Sequence, residues 1–315
     1  MIQRQTILIL GAGASAPFGF PTGYQLLQQV IEKTTPHDLV PNYAVLDHGN
    51  FLNQLGHDAP YIRKFRDALL KSGKTSVDAF LEHRSEFIPI GKAVMAIALI
   101  QYEDEQHLFK RDGGSWYEYL FNQLNARFEE FNQNQLSILT FNYDRSLEHF
   151  LFTALQNATG KSEEECAEQL KSIPIIHLHG DLGALPQIGK GLERPYNTNI
   201  TLETLNVAIK RIKIIHEGVA NEPQFEQARH ILSASEVICF LGFGYHPVNV
   251  ERLGIRNRIL NSRGKEIMGT SLGLTSMEAH QVSERCGFDL RSGTHPYGAL
   301  DVLEFLRETG ALHSN

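Results

Sequence analysis

The chain has 315 residues, 42% of them hydrophobic and 21% charged, and a formal net charge of −7. Those values describe an ordinary globular chain with no electrostatic footprint for nucleic acid or an anionic membrane. Three scattered cysteines (Cys166, Cys239 and Cys286) exclude a disulfide framework and a C-x-x-C zinc site, so a metal-free, cytoplasmic protein is expected.

The first element is a strand over residues 7–10, Ile-Leu-Ile-Leu, a run suited to burial on both faces of a parallel sheet. It is the longest apolar run near the start and Arg4 precedes it, so neither a signal peptide nor a membrane span is expected. Gly11-Ala12-Gly13-Ala14-Ser15-Ala16 follows. Two glycines at i and i+2 and a small residue three further on make a dinucleotide fingerprint of the G-x-G-x-x-G/A kind. Gly11 permits the tight turn, Gly13 admits a ligand close to the backbone, and free N–H groups there attract a pyrophosphate. Pro17 and Pro21 interrupt the helix that would ordinarily follow, and helical pattern resumes only after the N-cap Thr22.

Residues 36–60 read as irregular, and residues 61–131 as helical. Within the latter, residues 61–71 are amphipathic, Ser76 caps the next helix, Pro89 opens the most apolar one, and a last helix runs over 115–131. Strands then recur at 136–141, 173–178, 237–241 and 266–272. Helices are expected at 145–157, 161–171, 222–233, from after Pro247 to about 260, at 276–285 and at 300–309, and 182–205 reads as irregular. Basic clusters at 211–213 and 252–263 read as solvated helix faces. The alternation predicts a doubly wound, mostly parallel α/β Rossmann-like sheet over residues 1–35 and 132–315, with 36–131 as an inserted helical module. Ligands in such sheets bind at the carboxyl ends of the strands, where every unusual polar cluster of this chain falls: 11–15, 142–144, 179–181, 242–246 and 269–271.

Gly11-Ala12-Gly13-Ala14-Ser15, Thr140-Phe141-Asn142-Tyr143-Asp144 and His179-Gly180 resemble the Sir2 (sirtuin) superfamily, and most closely the SIR2-like NAD+ hydrolases of prokaryotic antiphage defence. Thr22-Gly23, Ser76-Val77-Asp78-Ala79-Phe80-Leu81 and Leu241-Gly242-Phe243-Gly244 resemble that branch as well, and the likeness spans about residues 5–275. It implies NAD+ bound at the glycine turn, and catalytic roles for Asn142 and His179. The four-cysteine zinc module of sirtuins cannot be built from three cysteines, and Phe20-Pro21-Thr22-Gly23 stands where sirtuins carry I-P-D-F-R. The resemblance therefore implies cleavage of NAD+ to nicotinamide and ADP-ribose rather than deacylation. Protein deacylation, ADP-ribosyl transfer and non-catalytic sensing of NAD+ or ADP-ribose are the alternatives. Relatives work with separate nuclease, helicase or ATPase subunits such as a HerA-type ATPase. A homo-oligomer of low basal activity within a larger assembly is thus expected, with loops such as 184–200 ordered by oligomerisation or by a partner.

The residue types suit that chemistry. Nicotinamide leaves NAD+ as a neutral group, so the site must hold the ribose, stabilise an oxocarbenium-like transition state and supply a nucleophile. A histidine can take a proton from a ribose hydroxyl or water, and an asparagine can orient both. The substrate contacts are expected from Gly11, Ala12, Gly13, Ala14, Ser15, Thr22, Asp78, Asp144, Gly242, Gly244 and His246. Several keep two readings: Asp144 and Asp78 as helix caps or ligand contacts, and His246 as a loop residue or a ribose contact. His177 and His179 share a strand parity, and the following Gly180 favours His179 as the base.

Overall fold

The computed structural model describes residues 1–35, 48–110, 114–214, 223–255, 264–288, 290 and 300–313. Its centre is a five-stranded, all-parallel sheet in the order β3-β2-β1-β4-β5, built from β1 (Thr6–Leu10), β2 (Leu136–Thr140), β3 (Ile175–His177), β4 (Val237–Leu241) and β5 (Glu266–Gly269). This is the α/β Rossmann-like architecture that the alternation predicts. Strand order reverses direction at β1, with β2 on one side and β4 on the other, so the crevice of a doubly wound sheet lies between the ends of β1 and β4.

Every residue of β1 and β4 is buried, as the apolar runs Ile-Leu-Ile-Leu and Val-Ile-Cys-Phe-Leu require. Successive side chains enter different cores. Ile7, Ile9, Leu139, Ile238 and Phe240 pack with α12 (Pro223–Ala234), α13 (Pro247–Leu253) and α14 (Ser276–Cys286). Leu8, Leu10, Ile138 and Leu241 face α2 (Gly23–Lys33), α6 (Ile88–Ile100), α9 (Ser146–Thr159) and α15 (Val302–Thr309). The helices between 48 and 133 share this second core: α3 (His48–Gln54), α4 (Ala59–Leu70), α5 (Val77–Leu81), α7 (Glu105–Leu108) and α8 (Trp116–Gln123). Apolar on every side, α6 packs between α2 and α11 (Leu202–Arg211). The remaining helices are α1 (Ala12–Ser15) and α10 (Glu163–Leu170).

Several boundaries differ from the sequence reading. After Gly11 the chain does not open into a loop: α1 and a 3-10 turn (Ala16–Phe18) come first, ended by Gly19 in the left-handed region. Short helices tolerate Pro17 because a first-turn proline has no hydrogen bond to lose. Of the stretch expected to be irregular, 36–47 lies outside the described residues and α3 is helical. The 182–205 segment ends in α11, opened by a reciprocal Thr201–Thr204 cap. The helix expected to reach 131 stops at Gln123 and a 3-10 turn (Phe128–Gln133) follows. Edge strand β3 is three residues long, since Pro174 offers the ladder no donor. The end of the helix expected to run from after Pro247 to about 260, with most of its basic cluster, falls in 256–263, outside the described residues; the described helix closes at Gly254.

Candidate functional site

Hydrogen bonding continues one residue past each strand, which brings the polar strand ends side by side. Gly11 N–H donates to Leu241 O at 3.0 Å, Phe141 N–H to Leu10 O at 3.0 Å, and Leu178 N–H to Thr140 O at 2.9 Å. At the switch point two backbones touch. A Cβ on Gly11 would lie 2.5 Å from Gly242 O, and one on Gly13 2.9 Å from both Gly242 Cα and Gly242 O. Gly242 has φ +56°, and a side chain there would strike Ala14 N. Gly13 N–H donates to Gly242 O at 3.0 Å and Ala14 N–H to Gly11 O at 2.9 Å. The glycines of the fingerprint therefore close β1 against β4. The N–H groups of Gly11, Gly13 and Ala14, expected to be free for a pyrophosphate, are engaged inside the turn.

Asn142 enters this turn from the end of β2. Its Nδ2 donates to Gly11 O at 3.0 Å and to Ser15 Oγ at 2.9 Å. Gly11 O can only accept, which fixes the nitrogen on that side. Both amide hydrogens are thereby used, and Oδ1 is the atom left to meet a ligand. Asp144 accepts from the backbone N–H of Ser146 at 3.2 Å and from the Ser146 hydroxyl, and it pairs with Ser15. It thus belongs to the buried cluster and reaches the first residue of α9, while the N-cap position itself is Arg145, which has no side-chain cap bond. Burial raises its pKa against the lowering effect of the Ser146 and Ser15 hydrogen bonds. Tyr117 hydroxyl meets Ser146 Oγ at 2.8 Å, and Trp116 Nε1 donates to Ala14 O at 2.7 Å. Two side chains of α8 therefore hold the glycine turn from above. The sequence reading assigns neither side chain a polar contact.

His179 stands with a second group. Its Nδ1 lies 4.0 Å from Asp78 Oδ1, and its ring packs edge-on to Phe141 with centroids 5.4 Å apart. The Tyr143 hydroxyl donates to the same Asp78 oxygen. Asp78 is on α5, so the inserted helices supply a carboxylate directly to the histidine. Phe141 also meets Phe243 at 5.1 Å, which makes an aromatic wall from the end of β2 to the end of β4. The turn after His179 is fixed from α11: Lys213 N–H donates to His179 O at 2.8 Å, and a Cβ on Gly180 would lie 1.9 Å from Arg211 O. Gly180 is a glycine because a carbonyl passes there.

His177 faces elsewhere. Its Nδ1–H donates to Asn142 O at 2.9 Å and its Nε2–H to Glu148. Both ring nitrogens face acceptors, so the ring is doubly protonated. Burial opposes that charge, but Glu148, Asp181 and the Asn142 carbonyl outweigh it and push the pKa up to about 9. The native state holds a proton that the unfolded chain releases near 6.5, so the stabilisation is complete below pH 6.5 and lost as pH rises to about 9. The loss amounts to about 3 kcal/mol, from about 1.4 kcal/mol per pH unit across that window. Urea midpoints at pH 6, 7.5 and 9 should fall for the wild type and change much less for His177→Gln; equal slopes would refute the charged pair.

The remaining expected residues are not gathered here. The Thr22 hydroxyl and backbone are engaged in the cap of α2 with Gln25. Gly244 and His246 are exposed at the rim, and Ala12 is half-buried in α1. Thr270 at the end of β5 joins the site instead: its hydroxyl accepts from Gly242 N–H at 2.8 Å. Arg252 on α13 pairs with Glu82 at the end of α5 at 3.1 Å, with little of either side chain exposed.

Beyond the catalytic candidates lies a buried charge cluster that sequence reasoning did not find. Glu103 receives Arg145 Nε, Arg145 Nη2 and Arg194 Nη2 at 2.7–2.9 Å. Arg145 also donates to the carbonyls of Gly183 and Arg194, and Arg194 to that of Leu182. Among the described residues, no three His, Cys, Asp or Glu side chains group as a metal site, and no helix is long and apolar enough to cross a membrane. Comparison with models of known protein families and with curated proteins finds no match.

Proposed function

We propose that this chain is a SIR2-like NAD+ glycohydrolase that releases nicotinamide and ADP-ribose, as the NAD+-depleting effector of a prokaryotic antiphage system. The observation that carries the reading is the meeting of Ser15, Asn142 and Asp144, from the ends of two adjacent strands, in one buried cluster at the switch point. A polar cluster out of water is expensive unless function or fold requires it. Here it stands beside a histidine with its own carboxylate partner, on the edge of the sheet where such folds bind ligands.

In this reading NAD+ lies across the ends of β1 and β4. Asn142 Oδ1 accepts from a ribose hydroxyl or the attacking water. The C1′–N bond to nicotinamide breaks as water oxygen bonds to C1′, and the water proton passes to His179. Asp78 and Tyr143 hold the His179 ring, and the Phe141–Phe243 wall keeps bulk water from the oxocarbenium-like centre. The diphosphate must find donors other than the N–H groups of Gly11, Gly13 and Ala14, and the exposed rim at Gly244 and His246 is the nearest part of the β4 turn. A homo-oligomer with a separate ATPase or nuclease subunit in the cytoplasm completes the proposal.

One observation favours a second reading. Both amide hydrogens of Asn142 hold the protein's own turn, as they would in a sensor that binds NAD+ or ADP-ribose without cleaving it. Incubating purified protein with NAD+ and following nicotinamide by chromatography separates the two. Release of nicotinamide and ADP-ribose in equal amounts supports the hydrolase. Saturable ADP-ribose binding without release leaves the sensor.

A further inference from the structure

A cavity of about 290 Å3 opens on the β3 edge of the sheet, beside His177 and away from the glycine turn. It lies among α9, α10, β3 and the segment that follows His179. Its apolar floor is aliphatic (Leu151, Leu170, Ile173, Leu185 and Ile188) and no Phe, Tyr or Trp lines it, so a nucleobase finds no stacking partner. Its charged lining is unbalanced. Lys171, Lys190, Arg211 and His177 are basic, against the acids Glu148 and Asp181, while Arg145 is answered by Glu103 outside the cavity. Glu148 is held by His177, Asp181 by Arg211 and Lys171 by Glu168, so the positive excess of the lining rests on Lys190.

We propose that this edge cavity binds a short aliphatic chain ending in one anionic group, and that His177 passes its occupancy to Asn142. At about 30 Å3 per heavy atom, the share a water molecule takes in the liquid, the cavity accommodates a chain of roughly eight to ten atoms. The chain lies on the aliphatic floor, and the anionic head meets Lys190 at the mouth. His177 borders the cavity with the ring that donates to Asn142 O, so a ligand that displaces the His177–Glu148 pair moves the backbone of the asparagine in the candidate site. Binding itself is independent of whether NAD+ is cleaved.

The test uses the full chain, titrated by calorimetry with octanoate, octyl phosphate and octanol. Octanoate or octyl phosphate should saturate one site, and the pair distinguishes a carboxylate from a phosphate head. Octanol should bind about tenfold more weakly or worse, since it keeps the chain and lacks the charge. Lys190→Glu, at an exposed position, should weaken the anions by about tenfold and leave octanol unchanged. Ile188→Trp, at a half-buried position, should block all three. The histidine ring signal of His177, identified by its absence in His177→Gln, should shift on saturation. No saturable anion binding, octanol binding as tightly as octanoate, or binding indifferent to both substitutions overturns the site. An unmoved His177 signal overturns the link to Asn142.

Discussion

If the chain is the proposed hydrolase, His179→Ala should lower the rate of nicotinamide release by roughly 10² or more while ADP-ribose affinity stays within about threefold, as expected for a group that acts mainly in the transition state. The ring is held by aromatic packing rather than by the glycine turn, so its removal leaves the switch-point cluster intact. Asp78→Asn and Tyr143→Phe act through the histidine and should lower kcat less than its loss does, with KM little changed. Asn142 behaves differently. Asn142→Ala removes two hydrogen bonds to the turn as well as Oδ1, so a similar fall in rate comes with about 1–3 kcal/mol of lost stability. Asn142→Asp is worse for the fold, because it sets an acceptor against Gly11 O. His177→Gln is the control: if it silences turnover while His179→Ala does not, the base is the other histidine. If neither matters and ADP-ribose still binds, the hydrolase reading fails.

Much of the fold was legible because its signals are local. The strands β1 and β4 announce themselves as short apolar runs followed by glycine, and Thr22 and Ser76 cap helices as their spacing implies. Helix α11 carries a signal that was there to read. Leu205, Ala208 and Ile212 repeat at i, i+3 and i+7, but its cap pairs two threonines rather than a threonine and a glutamate. The glycine fingerprint was legible as a turn and not as a donor site. What fills the space in front of Gly11 and Gly13 is the β4 backbone, more than 200 residues away in sequence. For the same reason Gly13→Val is no clean test of ligand binding, since it forces the two turns apart. The parity argument for the histidines failed where the strand ends. His177 is the last residue of β3, the chain turns at Gly180 with φ +73°, and the two rings part.

The buried arginines had no local signal, and removing their shared carboxylate has the largest expected effect on stability. Glu103→Ala should cost about 3–5 kcal/mol, the usual result of leaving a buried charge unpaired, against a total of about 5–15 kcal/mol for an ordinary domain. Arg145 and Arg194 are 2% and 1% exposed, and Glu103 is the carboxylate that answers both guanidinium groups. Burial pulls the pKa of Arg194 down, with Glu103 opposing, so the pair is already held against its solvation preference. Their other donors reach the carbonyls of Leu182, Gly183, Arg194 and Pro195, which stitches the segment after His179 to the end of α6 and the start of α9. Tyr196 adds its ring 5.8 Å from Arg145, stacked on His149 at 4.1 Å. Residues 194–196 of the loop expected to be ordered by oligomerisation or a partner are therefore tied to the rest of the chain. When Glu103 is lost, the two cations repel, the carbonyls lose their donors, and the segment should open before the sheet does. Trypsin should then cut first at Lys190, since Pro195 protects the bond after Arg194, and turnover should fall as the His179 turn loses its support. Glu103→Gln keeps an acceptor without the charge and should lie between the two. An unchanged urea midpoint and an unchanged cleavage pattern for Glu103→Ala would show that the cluster does not hold the loop.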